Sequence, residues 1–133
     1  MKTKIFLDTN VLLAISQFNI DIFSEIDRVC DFSHELILLN KVEEELTTLF
    51  EESTGRMKQS IKLVISIINT KNLKKMKSLD WDTDTALLNA AKESTGIVAT
   101  QDKGLKDRLR EQHIPVLTIR QKKYMVLIKE GKI

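Results

Sequence analysis

Four short apolar stretches stand out along the chain. Ile5, Phe6 and Leu7 form the first run, and Leu36, Ile37, Leu38 and Leu39 the second. Ile97, Val98 and Ala99 form the third, and Val116, Leu117 and Ile119 mark the fourth. Runs without polar alternation suit strands buried on both faces, as in a parallel sheet under helices. Strands are therefore expected over residues 3–8, 36–39, 97–100 and 115–119. Between them the apolar positions switch to helical spacing. Val11, Leu12, Leu13 and Ile15 fit a helix over residues 11–18. Ile22, Phe23, Ile26 and Val29 fit a second helix, with Asp21 placed to cap it. Val42, Leu46, Leu49 and Phe50 form the inner stripe of a third. Asn40 is expected as its N-cap and Glu43 as the capping-box partner three residues on. After a break at Ser53, Thr54 and Gly55, the set Ile61, Val64, Ile65 and Ile68 marks a fourth helix. Residues 71–77 read as a loop or short strand, and 84–92 as a helix ended near Gly96. A short basic helix follows over 103–110, and residues 124–128 read as a short edge strand. Strands alternating with helices imply right-handed crossovers and a parallel sheet, an α/β fold.

A length of 133 residues with 42% hydrophobic content suits one domain over 1–133, with a basic tail from about residue 120. The single Cys30 excludes an intramolecular disulfide and a multi-cysteine zinc site. It suits a reducing cytoplasm, where the chain is expected. No apolar run approaches the roughly 20 residues that span a bilayer, so no membrane association is expected. Met-Lys-Thr-Lys followed by Asp8 does not fit a signal peptide.

The net charge of +2 hides an uneven layout: residues 20–54 carry −8, 55–79 carry +7, 80–100 carry −3 and 101–133 carry +5. Solvated helix faces explain such a layout in part. Basic segments bracketing acidic ones also suit a phosphate-bearing partner gripped beside a carboxylate site.

Four acids stand out on the expected elements. Asp8 ends the first strand and Asp102 lies just past the third, both at strand carboxyl ends, where open α/β sheets bind ligands. Each also reads as a helix cap. In the run Glu43-Glu44-Glu45, Glu44 falls opposite the apolar stripe, Glu43 is suited to the cap, and Glu45 is left beside the core. Asp84 heads the stripe Asp84, Leu87, Leu88, Ala91 and points inward at a helix N-terminus, where the helix dipole favours a carboxylate. Asp82 precedes that helix as a cap or a further ligand. Carboxylates gathered at one sheet edge hold protons or recruit a cation, and an oxygen-only set selects Mg²⁺ or Mn²⁺. With bases to hold a phosphodiester backbone, the matching chemistry is metal-assisted hydrolysis of a nucleic-acid strand. Other chemistries lack parts. His34 and His113 fall in expected surface loops, Cys30 reads as a core side chain, and there is no Gly-rich phosphate loop. Trp81 and Tyr124 can stack on bases, but each reads first as packing.

Ile5-Phe6-Leu7-Asp8-Thr9-Asn10, Val42-Glu43-Glu44-Glu45-Leu46, Asp84-Thr85-Ala86-Leu87-Leu88 and Val98-Ala99-Thr100-Gln101-Asp102 come in an order and spacing that resembles PIN-domain nucleases across essentially the whole chain. The ending Ile114-Pro115-Val116-Leu117-Thr118-Ile119-Arg120-Gln121-Lys122-Lys123 is most similar to small stand-alone archaeal-type PIN proteins related to ribosomal-RNA-processing nucleases. The toxin ribonucleases of toxin–antitoxin pairs are close behind. The resemblance implies a Rossmann-like three-layer fold, a central parallel sheet flanked by helices. It implies a Mg²⁺- or Mn²⁺-dependent endoribonuclease, in rRNA processing or as a toxin. Asp8, Glu45, Asp84 and Asp102 would be its catalytic and metal-binding acids, with Thr9, Asn10 and Thr100 shaping the pocket. Arg56, Lys58, Lys62, Lys103, Lys106, Arg120, Lys122 and Lys123 would contact single-stranded or structured RNA. An antitoxin or ribosome-assembly protein and a second copy of the chain are the expected partners. Two positions depart from the family pattern. Thr85 follows Asp84 where many relatives pair acids, and Gln101 stands where many have Asn. A catalytically silent scaffold binding RNA or a protein is the alternative. Asp8-Thr9-Asn10-Val11 also resembles the phosphatase nucleophile motif of the haloacid-dehalogenase type, but that motif wants an acid where Asn10 stands.

Overall fold

A computed structural model describes residues 1–129. In chain order the elements are β1 (Thr3–Leu7), α1 (Thr9–Gln17), α2 (Ile22–Val29), β2 (His34–Leu39), α3 (Asn40–Glu52), α4 (Gly55–Thr70) and β3 (Lys74–Met76). They continue as α5 (Thr83–Ser94), β4 (Ile97–Ala99), α6 (Lys103–Glu111), β5 (Val116–Arg120) and β6 (Tyr124–Ile128). The strands form one sheet in the order β3-β2-β1-β4-β5-β6. β1 pairs in parallel with β2 on one side and β4 on the other, so that Ile5 lies opposite both Leu36 and Ile97. All neighbours are parallel except β6, which runs antiparallel to β5.

The chain walks outward from β1 to β3, returns to β4 beside β1, and walks out the other way. Right-handed crossovers then send the helices of the two walks to opposite faces. α1 packs on α2, α3 and α4, whereas α5 packs on β1, β4 and α6. The inner strands read as continuous apolar runs because both faces are covered: Ile5, Phe6, Leu7, Ile37, Leu39, Val98 and Leu117 have no exposed surface. Strand order reverses between β1 and β4, and the crevice at their carboxyl ends is the topological switch point of the sheet.

Several local expectations need correction. α1 begins at Thr9, two residues early, because Asp8 itself is the N-cap. Asn40 does not cap α3, because β2 runs straight into the helix and leaves Asn40 one position inside it, after Leu39. Its amide instead clamps the backbone of Ser78, donating to the carbonyl at 3.2 Å and accepting from the N–H at 2.7 Å. Glu43, released from capping, pairs with Lys75 at 2.9 Å. Only Val42 and Leu46 of the α3 stripe are buried. Leu49 is exposed, and Phe50 lies under the Lys58 ammonium at 4.6 Å. His34 is not in a loop: it opens β2, half-buried, with its ring nitrogens 2.9 Å from the Phe32 carbonyl and 3.1 Å from Asp27. Trp81 and Tyr124 are exposed rather than packed.

Other expectations hold. Residues 71–77 contain the short strand β3, Asp21 caps α2, and Cys30 is buried at its end. Much of the expected basic tail is β6, whose Met125 backbone is held by α2: Glu25 accepts from its N–H at 2.8 Å and Arg28 donates to its carbonyl at 3.1 Å. Residues 130–133 of that tail lie outside the described residues. No helix among the described residues is long and apolar enough to cross a membrane.

Candidate active site

Asp8 leaves β1 at the switch point, 5% exposed. One carboxylate oxygen accepts the Thr9 N–H at 2.7 Å and the other the Thr100 hydroxyl at 2.6 Å. Thr100 follows β4, is fully buried, and its oxygen in turn accepts the Asp102 N–H at 3.1 Å. Pairing of β1 with β4 therefore links the Asp8 carboxylate to the Asp102 backbone through one threonine hydroxyl. Asp102 caps α6, accepting from the Leu105 N–H at 2.7 Å, so its cap reading holds, on an exposed carboxylate. Asn10 fixes the connection from the other side, accepting the Gln101 N–H at 3.0 Å. Gln101 turns inward: its side-chain oxygen accepts the Thr118 hydroxyl at 2.7 Å and the Ile119 N–H at 2.6 Å.

Glu45 reaches the same edge from α3. The Thr9 hydroxyl donates to one of its oxygens and the Thr83 hydroxyl to the other, the second at 3.0 Å. Asp84 sits half-buried in the first turn of α5. Asp82 is the cap of that helix, accepting from the Thr85 N–H at 3.1 Å, which leaves Asp84 free of capping duty.

The charges register one another. Burial pushes the Asp8 carboxyl up to about 6 against the lowering hydrogen bonds from Thr100 and Thr9, and the Asp84 and Glu45 charges add to the rise. Burial also raises Asp84, followed by repulsion from Asp102, with Arg108 opposing and Asp82 and Glu45 adding. Arg108, on α6, donates to the Thr85 hydroxyl at 3.3 Å. Among the described residues no Lys or Arg forms an ion pair with Asp8, Glu45, Asp84 or Asp102. The set matches a hard divalent cation in kind, with oxygen donors and mutual repulsion that a cation relieves. It is not preassembled: among the described residues no three acidic, His or Cys side chains stand close enough together to hold an ion.

The basic residues divide by place. Lys103 and Lys106 follow Asp102 on α6, and Arg120, Lys122 and Lys123 lie at the carboxyl end of β5 and in the turn to β6, on the sheet edge that carries the acids. Arg56 and Lys62 are exposed on α4, while Lys58 covers Phe50 and Lys122 lies 5.6 Å from the Phe18 ring centre. Thr83, Arg108 and the inward turn of Gln101 were missed by sequence reasoning. Thr83 alone left a signal, as a hydroxyl beside an inward acid at a helix start.

A sheet with this switch point and these acids defines a class. The chain belongs to the PIN-like domain family, whose model matches residues 5–122. It is 37% identical over 122 residues to Ribonuclease VapC4 of Methanocaldococcus jannaschii, covering 91% of this chain and 93% of that one. Among solved structures it superimposes on the PIN domain endonuclease Utp24 with a TM-score of 0.76 at 19% identity, over 98% of this chain and 92% of the other. A domain of a functionally unknown protein from Methanocaldococcus jannaschii matches with a TM-score of 0.60 at 17% identity, over 89% and 91%. At such identities the two structures speak for the fold alone.

Proposed function

We propose that this chain is an endoribonuclease that hydrolyses RNA phosphodiester bonds with Mg²⁺ or Mn²⁺ held by Asp8, Glu45, Asp84 and Asp102. One observation carries the reading: carboxylates from four separate elements share one field at the switch point, and among the described residues no ammonium or guanidinium forms an ion pair with them. Kinship with Ribonuclease VapC4 supports RNA as the substrate and favours a toxin-type role, with an antitoxin as partner, over rRNA processing.

When bound, a hard divalent cation supplies charge neutralisation at the phosphoryl oxygens and a more acidic water. The chain's own residues do the rest. Thr100 and the Thr9 N–H hold both oxygens of Asp8 in a fixed plane, and Thr9 and Thr83 do the same for Glu45. Lys103, Lys106, Arg120 and Lys123 attract the phosphodiester backbone to the same edge. The competing reading, a silent scaffold binding RNA or protein, draws on the absence of a preassembled three-ligand cage among the described residues. One assay separates them. Purified chain should cut RNA with Mn²⁺ or Mg²⁺ and stop with EDTA, and Asp8→Asn should lose at least 100-fold in rate, on the order seen for key electrostatic groups. Unchanged cutting by folded Asp8→Asn removes the assignment.

A further inference from the structure

We propose that Trp81 and the cleft beside it form a nucleobase subsite, in which an unpaired base next to the reacting phosphate stacks on the indole. The proposal rests on the ribonuclease reading above and adds a specificity-determining residue to it. Trp81 is the only tryptophan of the chain and is 94% exposed, in the segment between β3 and α5. It leaves a large flat apolar face open to solvent.

The segment that carries it is tied down on both sides. Asn40 clamps the Ser78 backbone, Asp80 accepts from Asn89 at 3.2 Å, and Asp82 caps α5. The indole is thus displayed by a fixed support. It walls a cleft of about 610 Å³ whose other sides include Lys41, Glu44, Glu45, Leu49 and Asp82. Glu45 belongs both to this cleft and to the acid site, where it bonds Thr9 beside Asp8. A strand whose phosphate lies against the acids therefore carries its neighbouring base over the cleft.

The cleft's chemistry selects a base over a phosphate. Among the described residues three carboxylates line it, and the one ammonium, Lys41, is already 3.9 Å from Glu44. Such walls repel phosphodiester charge but accept hydrogen bonds from ring N–H and exocyclic amino groups. The indole and Leu49 supply apolar surface for the base face, and stacking tolerates any base. A base inside a duplex is already stacked and paired, so the subsite favours single-stranded RNA.

The lone indole is its own reporter. Short single-stranded oligoribonucleotides titrated into the Asp8→Asn protein should quench its fluorescence, and a duplex of the same sequence should do so far less. In cleavage assays Trp81→Ala should raise KM for short single strands roughly 5- to 100-fold with a much smaller change in kcat, and Trp81→Phe should restore most of the loss. An abasic position beside the cut should weaken binding to wild type but add little to Trp81→Ala. Unquenched fluorescence together with an unchanged KM for Trp81→Ala overturns the subsite while leaving the ribonuclease reading intact. Quenching together with a wild-type protein that cuts no RNA in Mn²⁺ or Mg²⁺ supports the subsite and removes the ribonuclease reading. A fall in oligomer mass for Trp81→Ala, with RNA affinity unchanged, assigns the indole to a protein interface and also overturns it.

Discussion

Asp8 holds a buried negative charge between one backbone N–H and one hydroxyl, and those two bonds do not offset its burial. Its carboxyl rises from 3.8 to about 6. A raised carboxyl means that the folded chain keeps a proton that the unfolded chain has lost. Its penalty is absent below the unfolded value, grows as pH rises from about 4 to about 6, and is complete above that, at an upper bound of about 3 kcal/mol. Asp21, Glu25, Glu35 and Asp82 are shifted the other way and lose their contributions as pH falls, so the wild-type curve mixes both. Asp8→Asn isolates the first effect. The stability of that variant relative to wild type in urea unfolding should rise by about 1–3 kcal/mol between pH 4 and pH 7. A gain that shrinks toward pH 7 contradicts a raised Asp8. Thr100→Val removes a fully buried hydroxyl that serves both Asp8 and the Asp102 N–H, and should cost about 1–3 kcal/mol by the same measurement. At this scale Asp8 and Asp102 were legible because each follows an apolar run. Their shared threonine was not, since it depends on which strand lies beside β1.

Elements show where local rules were overruled. α5 ends on Thr95 in the left-handed region, φ 55°, although Gly96 follows it. The glycine is used for closeness instead: a Cβ there would sit 2.6 Å from the Lys4 carbonyl and 3.0 Å from the Phe6 ring. Lys4 belongs to a strand paired on both sides and cannot retreat freely. Gly96→Ala should therefore destabilise the protein by about 1–3 kcal/mol, seen as a lower midpoint in thermal or urea unfolding. Asn40 was read as a helix cap from its type and place. Its service to Ser78, on a distant segment, has no local signature because it depends on β2 and β3 lying side by side.

At the scale of the whole molecule, the proposed metal site would link ion binding to folding through the mutual repulsion of the acids. Mg²⁺ or Mn²⁺ at 100 times its Kd should add about 2.7 kcal/mol to stability and raise Tm, and Asp8→Asn should abolish most of that shift. A Tm unmoved by either ion removes the metal site. RNA binding should weaken steeply with salt, as expected for a backbone held by Lys103, Lys106, Arg120 and Lys123. The same acids show why a candidate site could be read from sequence without its geometry. Each carboxylate could be placed on an element from local pattern. Their orientation, with Glu45 bonded to Thr9 and Thr83 and Asp8 to Thr100, and the absence of a ready three-ligand cage among the described residues depend on contacts between distant elements.

The chain's own pattern determined the kinds and order of its elements and the strand ends on which acids would stand. Those follow from interactions within a few residues: apolar runs, helical spacing and caps. Tertiary structure decided that β4 returns to lie against β1, that β6 turns antiparallel, and that Asp84 and Glu45 act on Asp8 while Trp81 is left bare. Each of these depends on pairing and burial between distant segments, and a hydrophobic run states that it will be covered without stating by what.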